Sequence, residues 1–160
     1  MKMTTPTSLE IQRACPDSGL PTDAQLTRWT EAALKGAGVT QAGEITLRLV
    51  EADESQALNA EYRQRDYPTN VLSFPFEMPE GLPAQAAPDI LGDLVICAEV
   101  VAREASEQEK HPEAHWAHMV VHGVLHLLGY DHQSDEQADN METLEKQILA
   151  SLGYNDPYQE

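Results

Sequence analysis

The chain has 160 residues with 10 Lys+Arg against 27 Asp+Glu, a formal net charge of −17. That length suits one domain built on a single sizeable core, and the charge argues against broad, tight binding of nucleic acid through clustered Lys and Arg. The excess is uneven: Asp131 to Glu160 holds eight acidic residues and one lysine, on what reads as a solvent-facing helix and tail, whereas Asn59 to Ser73 holds Arg63 and Arg65 with two acids, so a polyanion can be met locally there.

Met1 to Pro21 contains Pro6, Asp17 and Gly19 but no apolar run of the kind a secretory leader needs. No stretch offers eighteen consecutive apolar residues, so a soluble, cytoplasmic protein is expected. In that compartment Cys15 and Cys97 are expected as reduced thiols.

Ser8 to Arg13 alternates weakly around Leu9 and Ile11 and is predicted as a short strand. Thr22 and Gln25 make a capping box, and Leu26, Trp29 and Ala33 follow at helical spacing until Gly36 and Gly38. Glu44 to Glu51 places Ile45, Leu47 and Leu49 on one side, the pattern of a half-buried strand. Asp53 and Gln56 then begin a second predicted helix with Leu58 and Tyr62 on its core face, ending before Pro68, with Asn59 and Arg63 on a different face. Thr69 to Phe76 is apolar, prone to β structure and bounded by Pro68 and Pro75, which predicts an edge strand.

Glu77 to Asp89 breaks all periodicity and is predicted as a loop, either mobile or covering a cleft. Ile90 to Cys97 is a nearly continuous apolar run containing Gly92 and Asp93, as in a buried central strand with a kink or bulge. A helix follows to about Lys110. Pro112 suits the first turn of the next helix, on which His115, His118, His122 and His126 share one stripe. Ser134 and Gln137 cap a last helix whose predicted buried face is Met141, Leu144, Ile148 and Leu152, closed by Gly153. Strands interspersed with helices, then three helices in succession, predict an α+β single domain with helices over a small mixed, largely parallel sheet.

The segment from His122 to His132 carries three imidazoles as H-x3-H-x5-H. His122 and His126 lie one turn apart on the same helical face, able to converge on one ion. Gly129 can take the positive φ that ends a helix and lets the chain return His132 toward them. Three nitrogen ligands leave an open coordination position, as catalytic zinc sites do, whereas structural sites are closed by four protein ligands. His115 and His118 read as packing residues or as supports for the ligands. Asp131 reads either as an orienting partner for an imidazole N–H or as a turn residue.

The same spacing occurs in metzincin peptidases, H-E-x-x-H-x-x-G-x-x-H, but the glutamate that acts there as general base is Gly123 here. A conventional zinc peptidase is therefore disfavoured.

Three segments, HGVLHLLGYDH over His122 to His132, DYPTNVLSFPF over Asp66 to Phe76, and LGDLVI over Leu91 to Ile96, together resemble the YbeY family of single-domain metal-dependent endoribonucleases, also called rRNA maturation factors. The resemblance runs from about residue 44 to Tyr158. It implies a zincin-like single domain, one zinc ion bound by His122, His126 and His132, and a functional arginine at Arg63. It further implies an RNA substrate, ribosomal RNA in processing and small-subunit quality control, with the small ribosomal subunit and its assembly factors as partners. Physically, zinc on three neutral imidazoles lowers the pKa of a bound water toward about 7 and polarises a phosphoryl oxygen. A guanidinium such as Arg63 can hold two of the oxygens that gain charge. Two other readings are compatible with the residues: a ribosome-assembly binding factor with a structural zinc, and a zinc hydrolase of a substrate other than RNA.

Overall fold

The computed structural model describes residues 8–16, 19–39, 43–76, 90–130 and 134–157. Within them the chain runs β1 (Ser8–Ala14), α1 (Asp23–Gly36), β2 (Glu44–Val50), α2 (Ala52–Arg63), β3 (Val71–Pro75), β4 (Ile90–Cys97), α3 (Ala98–Glu107), α4 (Pro112–Leu127) and α5 (Asp135–Ser151). The expected α+β arrangement, helices over a small mixed sheet, is the one observed. The predicted loop 77–89, together with Asp131 and His132, lies outside the described residues.

The strands are ordered β1-β2-β4-β3, with β1 and β4 parallel to β2 and β3 antiparallel to β4. β3 is thus the edge strand that its prolines require. Opposite Glu44 and Ile45, β4 supplies Ile90 and then Gly92, so Leu91 is the extra residue of a bulge. The continuous apolar run of β4 has a physical cause, because both of its faces are covered. Leu94 and Ile96 pack with β2, α1, α4 and α5 in the larger core, while Val95 and Cys97 pack with Val50, Leu72 and Val100 on the opposite side.

α4 contacts α1, α3, α5, β3 and β4. Its sequence is apolar on nearly every side for that reason, and its histidine stripe runs from His115 and His118, buried in the molecule, to the half-buried His122 and His126. Gly123 faces the sheet. A Cβ there would stand 2.8 Å from Leu94 Cδ2 and 3.2 Å from Val71 Cγ2, so a glycine lets helix and sheet approach without displacing those side chains. The metzincin glutamate position therefore faces Leu94 and Val71 of the sheet.

Two predicted faces require correction. In α2 the buried residues are Ser55 and Asn59, whereas Leu58 is half-buried and Tyr62 is 51% exposed. The inward side of α2 meets backbone instead of apolar core: Ser55 Oγ donates to Thr69 O (2.9 Å) and accepts from Thr69 N (3.0 Å), and Asn59 Nδ2 donates to Tyr67 O (2.8 Å). The start of α2 also differs, with Glu51 at the N-cap making no side-chain bond and the Glu99 carboxylate of α3 accepting from Ala52 N (3.2 Å). In α5, Met141 and Ile148 are buried as predicted, but Glu145 and Leu149 complete the face, and Leu144 and Leu152 are half-buried. α3 ends at Glu107, earlier than Lys110, with the chain turning through Glu109 at φ 54°.

Candidate metal centre and substrate cleft

α4 begins with His111 at the N-cap, its ring accepting from Glu113 N (3.2 Å), and Pro112 in the first turn. It ends as the sequence predicts. Gly129 takes φ 99°, Gly129 N donates to His126 O (3.0 Å) and Tyr130 N to Leu125 O (3.0 Å), the two bonds of a Schellman ending. His126 thus sits on the last turn, directly before the reversal.

The four histidines of the stripe have different surroundings. His115 is buried and its Nε2 lies 3.0 Å from Glu104 Oε1. His118 is buried with its Nε2 2.6 Å from Glu145 Oε2. His122 is half-buried, its Nδ1 3.3 Å from both Glu145 oxygens, while its Nε2 stands 3.1 Å from His126 Nε2. Two ligand nitrogens at about 2.05 Å from a tetrahedral zinc lie roughly 3.3 Å apart, so the observed approach fits a shared ion.

Glu145 is fully buried on α5, between His118 and His122. Burial alone raises a carboxyl pKa, but here the hydrogen bonds from His118 and His122, reinforced by their charge, outweigh it and hold Glu145 down at about 2. For His115 the balance differs: burial lowers its pKa, and the neighbouring Glu104 offsets only part of that effect. Glu104 also accepts from Asn70 Nδ2 at 3.1 and 3.2 Å, tying the histidine stripe to the loop before β3.

His118, His122 and Glu145 are themselves spaced to hold a metal ion, one ligand atom from each lying within 4.8 Å of the others. Within the group, the 2.6 Å separation of His118 Nε2 from Glu145 Oε2 is a charge-assisted hydrogen bond, and the same carboxylate stands behind His122 Nδ1.

His122 and His126 line a cleft of about 770 Å³ whose opposite wall comes from α2, the following loop and β3, including Asn59, Arg63, Arg65, Tyr67 and Ser73. Arg63, the last residue of α2, is fixed there by donating from Nη2 to Ser73 O (2.8 Å) and from Nη1 to Tyr62 O (3.1 Å), with its guanidinium carbon 5.2 Å from the Phe74 ring centroid. Of the residues predicted to form the site, the fold therefore brings Arg63, His122 and His126 to one cleft, and His132 falls outside the described residues.

Sequence reasoning missed Glu145, although a signal was present: it occupies a core position one turn beyond Met141 and before Ile148, where an acid is costly unless bonded. Arg65, read with Arg63 as a place where a polyanion can be met, lines the same cleft as His122 and His126.

An α+β fold with paired histidines facing an arginine-bearing cleft, beside a histidine–carboxylate grouping spaced to hold a metal ion, has the arrangement of a candidate hydrolase site. Comparison with known proteins specifies it. Residues 17–153 match the family model described as Endoribonuclease YbeY. Proteins named Endoribonuclease YbeY from Stenotrophomonas maltophilia (strain K279a) and Halorhodospira halophila are 56% identical over 148 residues and 59% identical over 140 residues, respectively. The alignments cover 92% and 88% of this chain, and 91% and 89% of those proteins. The solution structure of TM1509 from Thermotoga maritima shares the fold, with a TM-score of 0.57 and 24% identity, over 95% of this chain and 99% of that one. The chain belongs to the endoribonuclease YbeY family, as the three sequence segments implied. None of the described helices is long and apolar enough to cross a membrane.

Proposed function

We propose that this chain is a cytoplasmic zinc endoribonuclease that cuts ribosomal RNA during its processing and in small-subunit quality control, working with the small ribosomal subunit and its assembly factors. His122, His126 and His132 hold one zinc ion, and Arg63 stabilises the charge that develops on the scissile phosphate. The observation that carries this reading is the 3.1 Å approach of His122 Nε2 to His126 Nε2 in a cleft whose other wall presents Arg63. The name shared by the relatives, Endoribonuclease YbeY, supports an RNA phosphodiester as the substrate.

When bound, zinc supplies a Lewis acid and a water of lowered pKa, the two things phosphodiester cleavage lacks at neutral pH. The protein contributes the rest. With the proton of His122 on Nδ1, Glu145 accepts from it, and the Nε2 that faces His126 is presented as a ligand. Arg63 spends two of its five N–H donors on backbone carbonyls, so it is preorganised, and the remaining donors serve the phosphate oxygens. No carboxylate stands within ion-pair distance of Arg63 among the described residues, so its charge is available to an anion.

The test is a cleavage assay on a ribosomal RNA fragment with elemental analysis of the same sample. One zinc per chain, loss of cutting with a chelator, recovery on adding zinc, and a 10²- to 10³-fold fall in turnover for Arg63→Ala at unchanged zinc content are expected, about the size of removing one preorganised donor. Chelator-insensitive cutting that survives His126→Ala overturns the proposal.

A further inference from the structure

The arginine wall of the cleft carries more than Arg63. Arg65 and Tyr67 line the same cleft as His122 and His126, and Arg65 Nη1 donates to Tyr67 Oη (3.0 Å). Beyond Arg63 and Pro75, which border both spaces, a second hollow of about 450 Å³ is lined by Tyr62, Phe74 and Phe76, with Gly92 and Asp93 at its β4 side. The large apolar side chains exposed among the described residues are Tyr62 (51%), Tyr67 (48%) and Phe76 (37%), and all three stand along this wall. Exposed rings gathered on one wall of a polar cleft have a cost in water that a ligand with flat faces removes.

Charge points to the same wall. Four cations elsewhere on this acidic protein are paired with carboxylates, Arg13 with Asp23, Arg48 with Glu54, Arg103 with Glu107 and Lys146 with Asp156, and Lys110 donates to the carbonyl of Pro157. Arg63 and Arg65 bond instead to carbonyl and hydroxyl oxygens, which leave a full positive charge on each. Two unneutralised guanidiniums interleaved with three exposed rings match a chain that alternates anionic and aromatic groups.

We infer that this wall is a nucleotide track with two base-stacking subsites, Arg65 with Tyr67 on one side of the Arg63 position and Tyr62 with Phe76 on the other. The inference rests on the RNA reading above and adds to it the residues that hold the nucleotides flanking the scissile phosphate. Arg65 takes the neighbouring phosphate, and the bond from its guanidinium to Tyr67 Oη sets the ring beside that phosphate. The Tyr62 ring is braced edge-on against Phe74 (5.2 Å between centroids), so its free face is presented without further ordering.

The experiment measures the dissociation constant of a short labelled RNA oligonucleotide for the full chain in the presence of a chelator, so that cutting does not interfere. Tyr67→Ala and Tyr62→Ala are each expected to weaken binding 5- to 50-fold, in the range found when one base loses its aromatic partner. Tyr67→Phe, which keeps the ring, should stay within about threefold. Arg65→Ala should lower the slope of log affinity against log salt by about 0.7, the loss of one phosphate contact to a single strand. Removing the base from successive nucleotides should reproduce the Tyr67→Ala loss at one position, without further loss when both changes are combined. Unchanged affinity in Tyr67→Ala, Tyr62→Ala and Arg65→Ala overturns the track. Because binding is read separately from cutting, a wild-type chain that binds RNA through these residues but never cleaves it would refute the nuclease reading and leave the track standing.

Discussion

The two halves of the α4 histidine stripe differ in what surrounds identical side chains. His115 and His118 are buried and each presents Nε2 to a carboxylate, Glu104 or Glu145. One turn further on, His122 and His126 are half-buried at a cleft and turn their Nε2 atoms toward each other. Helical spacing makes the four equivalent, and burial with partner choice makes them different. A carboxylate facing Nε2 occupies the nitrogen that would bind a ligand, whereas a carboxylate behind Nδ1 frees it. Glu145 does both at once, satisfying His118 and aiming His122.

Exchanging members of the two halves is the most direct way to break this contrast. His126→Ala removes a nitrogen from the cleft side and should lower RNA turnover about 10³-fold with loss of bound zinc, measured by cleavage kinetics and elemental analysis. Zinc retained at one per chain in that variant would erase the distinction between the halves.

Gly123→Glu restores the glutamate of the peptidase pattern, but against the Leu94 and Val71 side chains of the sheet. Burying an unpaired carboxylate there should destabilise the fold by about 4 kcal/mol or more. A folded variant with peptidase activity, seen by thermal melts and a peptide substrate, would show that α4 is rotated from the orientation described.

Glu145→Gln keeps the shape while removing the charge shared by His118 and His122. Zinc affinity should fall about 10- to 100-fold in a chelator competition, with the chain still folded, because an orienting partner is weakened and no ligand is lost.

His115→Gln tests the buried half alone, and turnover should stay within about twofold. Burial holds the folded-state pKa of His115 below its ordinary 6.5. The unfolded chain therefore takes up the proton first, so the stability this residue confers is present above 6.5 and is lost as pH falls below it. Thermal melts from pH 7.5 to 5 should show a shallower decline for His115→Gln than for the wild type, on top of a loss of about 1 kcal/mol. An equal decline in both would place the pH sensitivity elsewhere.

Much of this molecule is legible where the signal is local. The capping box of Thr22 and Gln25, the burial of Ile45, Leu47 and Leu49, the edge position of β3 and the turn at Gly129 all follow from neighbours within a few residues. Periodicity misplaced the inward faces of α2 and α5 because it assumes that what is buried is apolar. Ser55 and Asn59 are buried because the backbone at Thr69 and Tyr67 offers them hydrogen bonds, and Glu145 because two histidines 23 and 27 residues earlier do.

The sequence by itself determined the helix that carries His122 and His126 on one face, the bend that follows it, and the family to which the chain belongs, since each is encoded in contiguous residues. Only the tertiary structure decided which carboxylate stands behind His122, why position 123 holds glycine, and that Arg63, Arg65 and Tyr67 face the histidines across one cleft. Those facts depend on distances between residues far apart in the chain, set by how α2, α4 and α5 pack, and no local pattern of apolar and polar residues encodes such a distance.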